Sequence, residues 1–378
     1  MRSCFLPAIL LGWAGGDPAA AQPPAPPNPA ANAAIQYWQA FGLLPALDKD
    51  QEKILREWAK TPLDAAAAKL IEQSKSSLQY LHRGAELPRC DWGLDYEDGI
   101  GLLLPHAPKA RALGALAALR ARQEFGRGDL KAGWADVTAL FALARHVETD
   151  PLMIDQLIGY AIEGMAIQAA APYLPDSKAE LATVTTVLDR LPSGATFDKM
   201  LQIERRTCSD WLIGELKAAD KNEPGSWRAH WKSLFPAGEG GGPAPKMPPV
   251  ATLDEAVKML EGLAPLYDEL ERLTKLPWTE FDAGYTAFIK KAQTANPSAV
   301  ALLPAMDHMV AAKRRADARF ALFKAAVAVV RGGPDKLADI RDPFGDGPFA
   351  YKMADGGFEL RSKLLFKSRP VTLAVGKK

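Results

Sequence analysis

From residue 34 to about 330, apolar residues recur at steps of three and four, and glycine and proline cut the pattern into short pieces. A chain punctuated in this way buries its apolar faces by packing amphipathic helices against one another. Ile35, Trp38 and Phe41 open the pattern, and Ile54, Leu55 and Trp58 continue it over 50–60. Thr61-Pro62 reads as a cap and first-turn proline for a helix through Leu70, Ile71, Leu78 and Leu81. Three longer helices follow, over 109–125, from the Asp129 cap, and over 152–171, with a Gly-Arg-Gly turn after the first and Asp150-Pro151 between the others. Further helices are expected over 176–191, 195–220, from Thr252 to Leu273, 277–293 and 298–330, the last kinked or restarted at Pro304. Near the C-terminus the period changes. Residues 348–365 alternate around Asp355-Gly356-Gly357, the pattern of a β-hairpin. The expected fold class is therefore mainly α, a multi-helix array of αα-hairpins with a small C-terminal β-hairpin. A 34-residue recurrence of the tetratricopeptide kind is not found.

Composition supports a globular protein and removes several functions. The chain has 378 residues, 48% of them hydrophobic and 24% charged, which leaves collagen-like and disordered classes aside. Lys and Arg number 46 against 45 Asp and Glu, so no overall basic field gathers nucleic acid. Residues 1–21 place Arg2 before an apolar run from Cys4 to Ala14 and end in Ala19-Ala20-Ala21. That order is a secretory signal peptide, with cleavage expected between Ala21 and Gln22. The apolar run falls well short of the ~20 residues that span a bilayer, and no later stretch reaches that length, so no transmembrane segment is expected in the mature chain. Residues 22–33 read as a Pro/Ala linker and 236–249 as a Gly/Pro linker. They bound a helical domain at 34–235, a second helical segment at 250–333 packing on the first, and a hairpin with a basic tail at 334–378. The tail, 361–378, holds six cations and no acid.

Export changes the meaning of the cysteines. Beyond Cys4 only Cys90 and Cys208 remain. An oxidising compartment permits one structural disulfide between them, worth about 4–5 kcal/mol in the chain-entropy model, or else two separate buried thiols.

The segment 86–108 is rich in glycine and proline and reads as an ordered loop long enough to carry function or line a groove. It holds Asp91, Asp95, Glu97 and Asp98, with His106 close behind. Four carboxylates at this density suit a hard cation or general acid–base chemistry, but the order is not that of an EF-hand loop. The alternative is a solvated loop whose carboxylates hold its own backbone. Trp92 and Tyr96 either line a ligand groove or plug the loop onto the helices. His146 closes a helix, where a cation suits the helix dipole. Glu163 stands in an otherwise apolar helix, as a buried acid of raised pKa or as half of a salt bridge. Lys313, Arg314, Arg315 and Arg319 form a basic stripe read as a solvated face. No nucleophile elbow, phosphate-binding glycine loop or zinc frame is present, so no metal or cofactor is assigned.

Two stretches resemble known families. Cys90-Asp91-Trp92-Gly93, Asp98-Gly99, Leu102-Leu103-Leu104-Pro105-His106 and the Ala/Leu/Arg helix after them resemble uncharacterised exported α-helical proteins of planctomycete-type bacteria. That resemblance spans 34–350 and implies no catalytic residue. Asp342-Pro343-Phe344-Gly345, Pro348-Phe349, Tyr351 and Gly357-Phe358-Glu359-Leu360 resemble the C-terminal hairpin of type II secretion major pseudopilins. Where pseudopilins place a calcium loop this chain has Arg361-Ser362-Lys363, so no calcium site is carried over, and the pilin helix is missing. Two readings of function result. The first is an exported, non-enzymatic binding or scaffold protein of the envelope, periplasmic or extracellular, whose grooves take another envelope protein or a surface polymer. The second is a hydrolase or lyase, metal-assisted or not, using Asp91, Asp95, Asp98 and His106. The basic tail adds a possible contact with anionic lipid or wall polymer.

Overall fold

A computed structural model describes residues 31–233, 250–295, 303 and 305–376. The signal peptide, most of the Pro/Ala linker, the Gly/Pro linker and the break at Pro304 lie outside the described residues. The fold is mainly helical and ends in a three-stranded antiparallel sheet. No described helix is long and apolar enough to cross a membrane.

Polar side chains start the helices by satisfying backbone donors that the first turn leaves open. Asn32 caps α1 (Ala33–Gly42) and also grips the backbone of Asp91 in both directions, accepting from its N–H and donating to its carbonyl. Asp48 and Gln51 form a reciprocal capping box at α2 (Lys49–Arg56). Asp64, rather than the expected Thr61, caps α3 (Ala65–Gln73). The Thr61 hydroxyl instead donates back to the Ile54 and Glu57 carbonyls. Ser74 separates α3 from α4 (Lys75–Ala85).

Three long helices, α5 (His106–Gly126), α6 (Leu130–Glu148) and α7 (Met153–Ala170), fill the centre of one apolar cluster, and α8 (Leu181–Arg190) packs beside them. A second cluster gathers side chains from α9 (Phe197–Arg205), α10 (Trp211–Asn222), α11 (Trp227–Ser233), α12 (Leu253–Glu261), α13 (Ala264–Thr274) and α14 (Trp278–Ala295). The single helix expected over 195–220 forms, with α9 running into α10 through a widened π-helical turn at Arg206–Asp210, whereas that expected from Thr252 to Leu273 breaks at Gly262. The long α15 (Met306–Gly332) joins the clusters. Its Met306 and Val310 lie in the second, while Leu322, Phe323 and Val327 lie in the first.

The cysteines follow this division, and the structure holds them as the second of the two alternatives, separate thiols. Cys90 and Cys208 are both free. Cys90 is buried within the first cluster and Cys208 packs against the second, so the two thiols sit in different apolar surroundings. Burial pushes both thiols up, Cys208 to about 11, which leaves them unreactive as thiolates at neutral pH.

The expected hairpin forms as β1 (Ala350–Ala354) and β2 (Gly357–Phe366) around Asp355-Gly356. The stretch read as a basic tail is, however, sheet through Gly376: it completes β2 and supplies β3 (Arg369–Gly376). Its cations alternate with buried Leu360, Ser362, Leu364, Val371 and Val375, so a half-buried strand was masked by the charge of its outer face. The sheet packs on α15 and on the short turn Ala171–Asp176. Buried Asp342 ties it down, accepting from the Ser362 hydroxyl and from the N–H groups of Phe344 and Lys363.

Candidate functional site

Loop 86–108 does not converge on its own carboxylates. Asp91 accepts from the Gly93 N–H and Asp95 from the Glu97 N–H, each at 3.0 Å, so both side chains hold turns of the loop. Asp91, Asp95 and Asp98 are exposed, and Glu97 pairs with exposed Arg206. Gly99 adopts φ +57° and lies so close to the Trp211 indole that any side chain there would collide with it. His106, by contrast, begins α5 with its ring fully buried, its Nε2 3.0 Å from an Asp155 carboxylate oxygen. Trp92 closes this interior, stacked on His106 at 4.6 Å and on Tyr37 and Phe41, with its indole N–H donating to the His146 carbonyl. Trp92 is thus a plug. Tyr96 bonds to Asp150, whose carboxyl burial lifts to about 6. His146 is not a cation at a helix end: burial holds it down to about 4, and the Tyr37 hydroxyl bonds its Nδ1. Among the described residues no group of three or more His, Cys, Asp or Glu is arranged to hold a metal ion.

A second buried polar group opens to solvent. The C-terminal turn of α6 meets α7, α15 and the loop 191–196 at a cleft of about 370 Å³. Arg145 of α6 lies over the Phe320 ring and holds two carboxylates, Glu148 through Nη1 at 2.6 Å and Glu163 of α7 through Nη2. Desolvation opposes the arginine's charge, but Glu163 and Glu148 outweigh it and its pKa is raised. Room for Glu148 comes from missing side chains: a Cβ at Gly159 would lie 2.3 Å from its Cγ, and one at Gly194 2.9 Å from its Oε2. The Glu148 carbonyl accepts from the Ala195 N–H and the Gln156 amide, which fixes the loop over it. Two buried polar atoms beside the cleft, Glu148 Oε1 and the Tyr160 hydroxyl, have no hydrogen-bond partner among the described residues. Lys313 brings a positive charge to the rim and is itself paired with Asp317.

Burial pushes the Glu163 carboxyl up to about 8; Arg145 works against that rise, and Glu148 and Asp317 add to it. At neutral pH it is largely protonated, so of the two sequence readings of Glu163 the raised acid fits, with Arg145 as a hydrogen-bond donor to it. Glu163 borders a different cleft, of about 210 Å³, on the other side of Tyr160. The two glutamates therefore face separate openings and do not form an acid–base pair about one bond. Glu163 was visible in the sequence as a charge within an apolar helical run. Glu148 was not, since charges are ordinary at a helix end and its glycine neighbours come from distant positions.

No family model matches this chain, and no curated protein or solved structure is similar to it.

Proposed function

We propose that this chain is an exported, non-enzymatic binding protein of the cell envelope, with its ligand site in the cleft beneath loop 191–196. The observation that carries this reading is the pair of orphaned polar atoms there, Glu148 Oε1 and the Tyr160 hydroxyl. Buried polar groups are stable only when hydrogen-bonded, and a cleft that ends on two of them is completed by a ligand that bonds both. An ionised Glu148 only accepts, so the ligand brings a hydroxyl or amino donor; Tyr160 serves as donor or acceptor. Ser193, Thr196 and Gln156 add polar groups and Leu188, Leu191 and Phe320 an apolar wall, a combination suited to a sugar or amino sugar unit of a surface polymer. On this reading α5–α7 are an array of αα-hairpins that holds Arg145, and Arg145 positions Glu148 rather than touching the ligand.

The test is a thermal-shift and calorimetric screen of the full chain against mono- and oligosaccharides, amino sugars included. Saturable binding weakened at least about tenfold by Glu148→Gln and by Tyr160→Phe, as expected for losing one buried hydrogen bond, supports the reading. Absence of binding across the screen, or binding indifferent to both substitutions, overturns it.

A further inference from the structure

Along α15 the cations are not all alike. Lys313 pairs with Asp317 at 2.8 Å, Arg314 with Asp282 at 3.0 Å and Lys324 with Asp189 at 2.8 Å. Arg315 and Arg319 have no carboxylate within ion-pair distance among the described residues, and neither do Lys367 and Arg369 at the β2–β3 reversal. These four side chains line one concave opening of about 470 Å³, completed by Phe366, Pro370, Val371 and Thr372, with no acid among them. In a chain whose net charge is only +1, four uncompensated cations around one cleft form a local positive field.

The cleft is also built to keep them there. Phe366 is flanked by the Arg315 guanidinium, 4.5 Å from the ring centroid, and the Lys367 ammonium at 5.8 Å. The strands reverse through Lys367 and Ser368 at φ +49° and +61°, left-handed positions that Asn-Gly would fill more easily. The pairing Phe366↔Arg369 fixes both cations at the tip of the sheet, facing α15. Desolvation and then the neighbouring Arg315 hold Arg319 below the usual arginine value, a repulsion that a bound anion relieves.

We propose that the cleft between α15 and the β2–β3 turn binds phosphate-ester oxyanions. Three guanidinium forks and an ammonium meet a tetrahedral group with several acceptor oxygens better than a planar carboxylate, and Thr372 adds a hydroxyl donor. The site is separate from the sugar cleft and stands whether or not that reading survives.

The experiment is calorimetric titration of the full chain with inorganic phosphate and glycerol 3-phosphate in low-salt chloride buffer. Saturable binding is expected, weakened about tenfold or more by Arg319→Gln and by Arg369→Gln. Neither arginine makes an ion pair among the described residues, so the melting temperature of both variants stays near that of the parent. A control, Lys53→Gln on exposed α2, removes equal charge elsewhere and leaves binding within about twofold. Sedimentation with phosphatidylglycerol vesicles, against phosphatidylcholine vesicles, identifies the source. Co-sedimentation lost in Arg319→Gln assigns the site to lipid headgroups; phosphate binding without it assigns the site to soluble esters. The proposal is overturned if neither probe nor vesicle binds, or if the α2 control loses as much affinity as the arginine variants.

Discussion

Loop 86–108 and the cleft at the end of α6 both bury carboxylates next to aromatic and basic groups, and they use them in opposite ways. Under the loop, His106 and Asp155 are wholly inaccessible, and Trp92 with Tyr37 and Phe41 closes the space above them. At the cleft, Arg145 holds Glu148 along the wall of a solvent opening. Polar atoms without a partner among the described residues occur in both regions, His106 Nδ1 and Asp155 Oδ2 under the loop and Glu148 Oε1 and the Tyr160 hydroxyl at the cleft. The difference lies in what covers each group. Flat aromatic rings exclude water and turn a polar pair into a structural anchor, whereas Glu148, itself buried, packs on the glycines at 159 and 194 in the wall of a cleft that opens to solvent. If this contrast is right, damage to the first region appears as lost stability and damage to the second as altered binding and pH response.

The largest effect is expected from Trp92→Ala. The indole stacks on three rings and bonds a carbonyl, so its removal leaves a cavity and an orphaned acceptor. A loss of about 3–5 kcal/mol in denaturant unfolding follows. A loss below about 1 kcal/mol would show that the loop is loosely seated and that the sealed character of this region is mistaken.

Asp155→Ala comes next. It removes the carboxylate facing His106 Nε2 and leaves a fully buried imidazole nitrogen without a partner. About 2–3 kcal/mol of stability is expected to go, with saccharide binding at the α6–α7–α15 cleft unchanged. Parallel loss of binding and stability would merge the two regions into one functional unit.

How far these regions were legible in the sequence depends on what each relied upon. The helices were readable because their signals are local: Asp129 as a cap, the Gly-Arg-Gly stop, the period of Leu140, Phe141 and Ala144. For the acidic cluster, closeness along the chain is not closeness in space, and of its two readings the solvated loop holding its own backbone is the one whose bonds are seen. A turn-rich loop spreads Asp91, Asp95 and Asp98 over its outer surface, while His106 rotates inward with the first turn of α5. β3 was hidden by its charges, and Glu148 by partners that only tertiary packing brings to it.

The third prediction uses pH to separate the open region from the sealed one. Glu163 has an ordinary value of 4.5 and a folded value of about 8. Between these the unfolded chain loses a proton that the folded chain keeps, so stability falls as pH rises through that window. His146, held down to about 4 from 6.5, gives the opposite slope, which ends near pH 6.5. Asp150, lifted from 3.8 to about 6, has also finished by then. From pH 6.5 to 8 Glu163 therefore acts alone among these three, and urea unfolding should show about 1–2 kcal/mol of lost stability over that interval. Glu163→Gln removes the slope and is more stable than the parent at pH 8. A slope that persists in this variant places the titrating group elsewhere.

The smallest effect is expected from replacing Asp91, Asp95 and Asp98 together by Asn. Asparagine keeps the side-chain oxygen that accepts from Gly93 and Glu97, so the turns survive, and Asp98 carries no such bond to lose. The change is expected to stay within about 1 kcal/mol in unfolding, with binding at the α6–α7–α15 cleft unaltered. This triple variant also tests the hydrolytic reading directly, because catalysis by these carboxylates needs their charge and not only their shape. Abolition of a measurable hydrolase or lyase activity, with the fold intact, would move the functional centre back to the loop and reverse the comparison between the two regions.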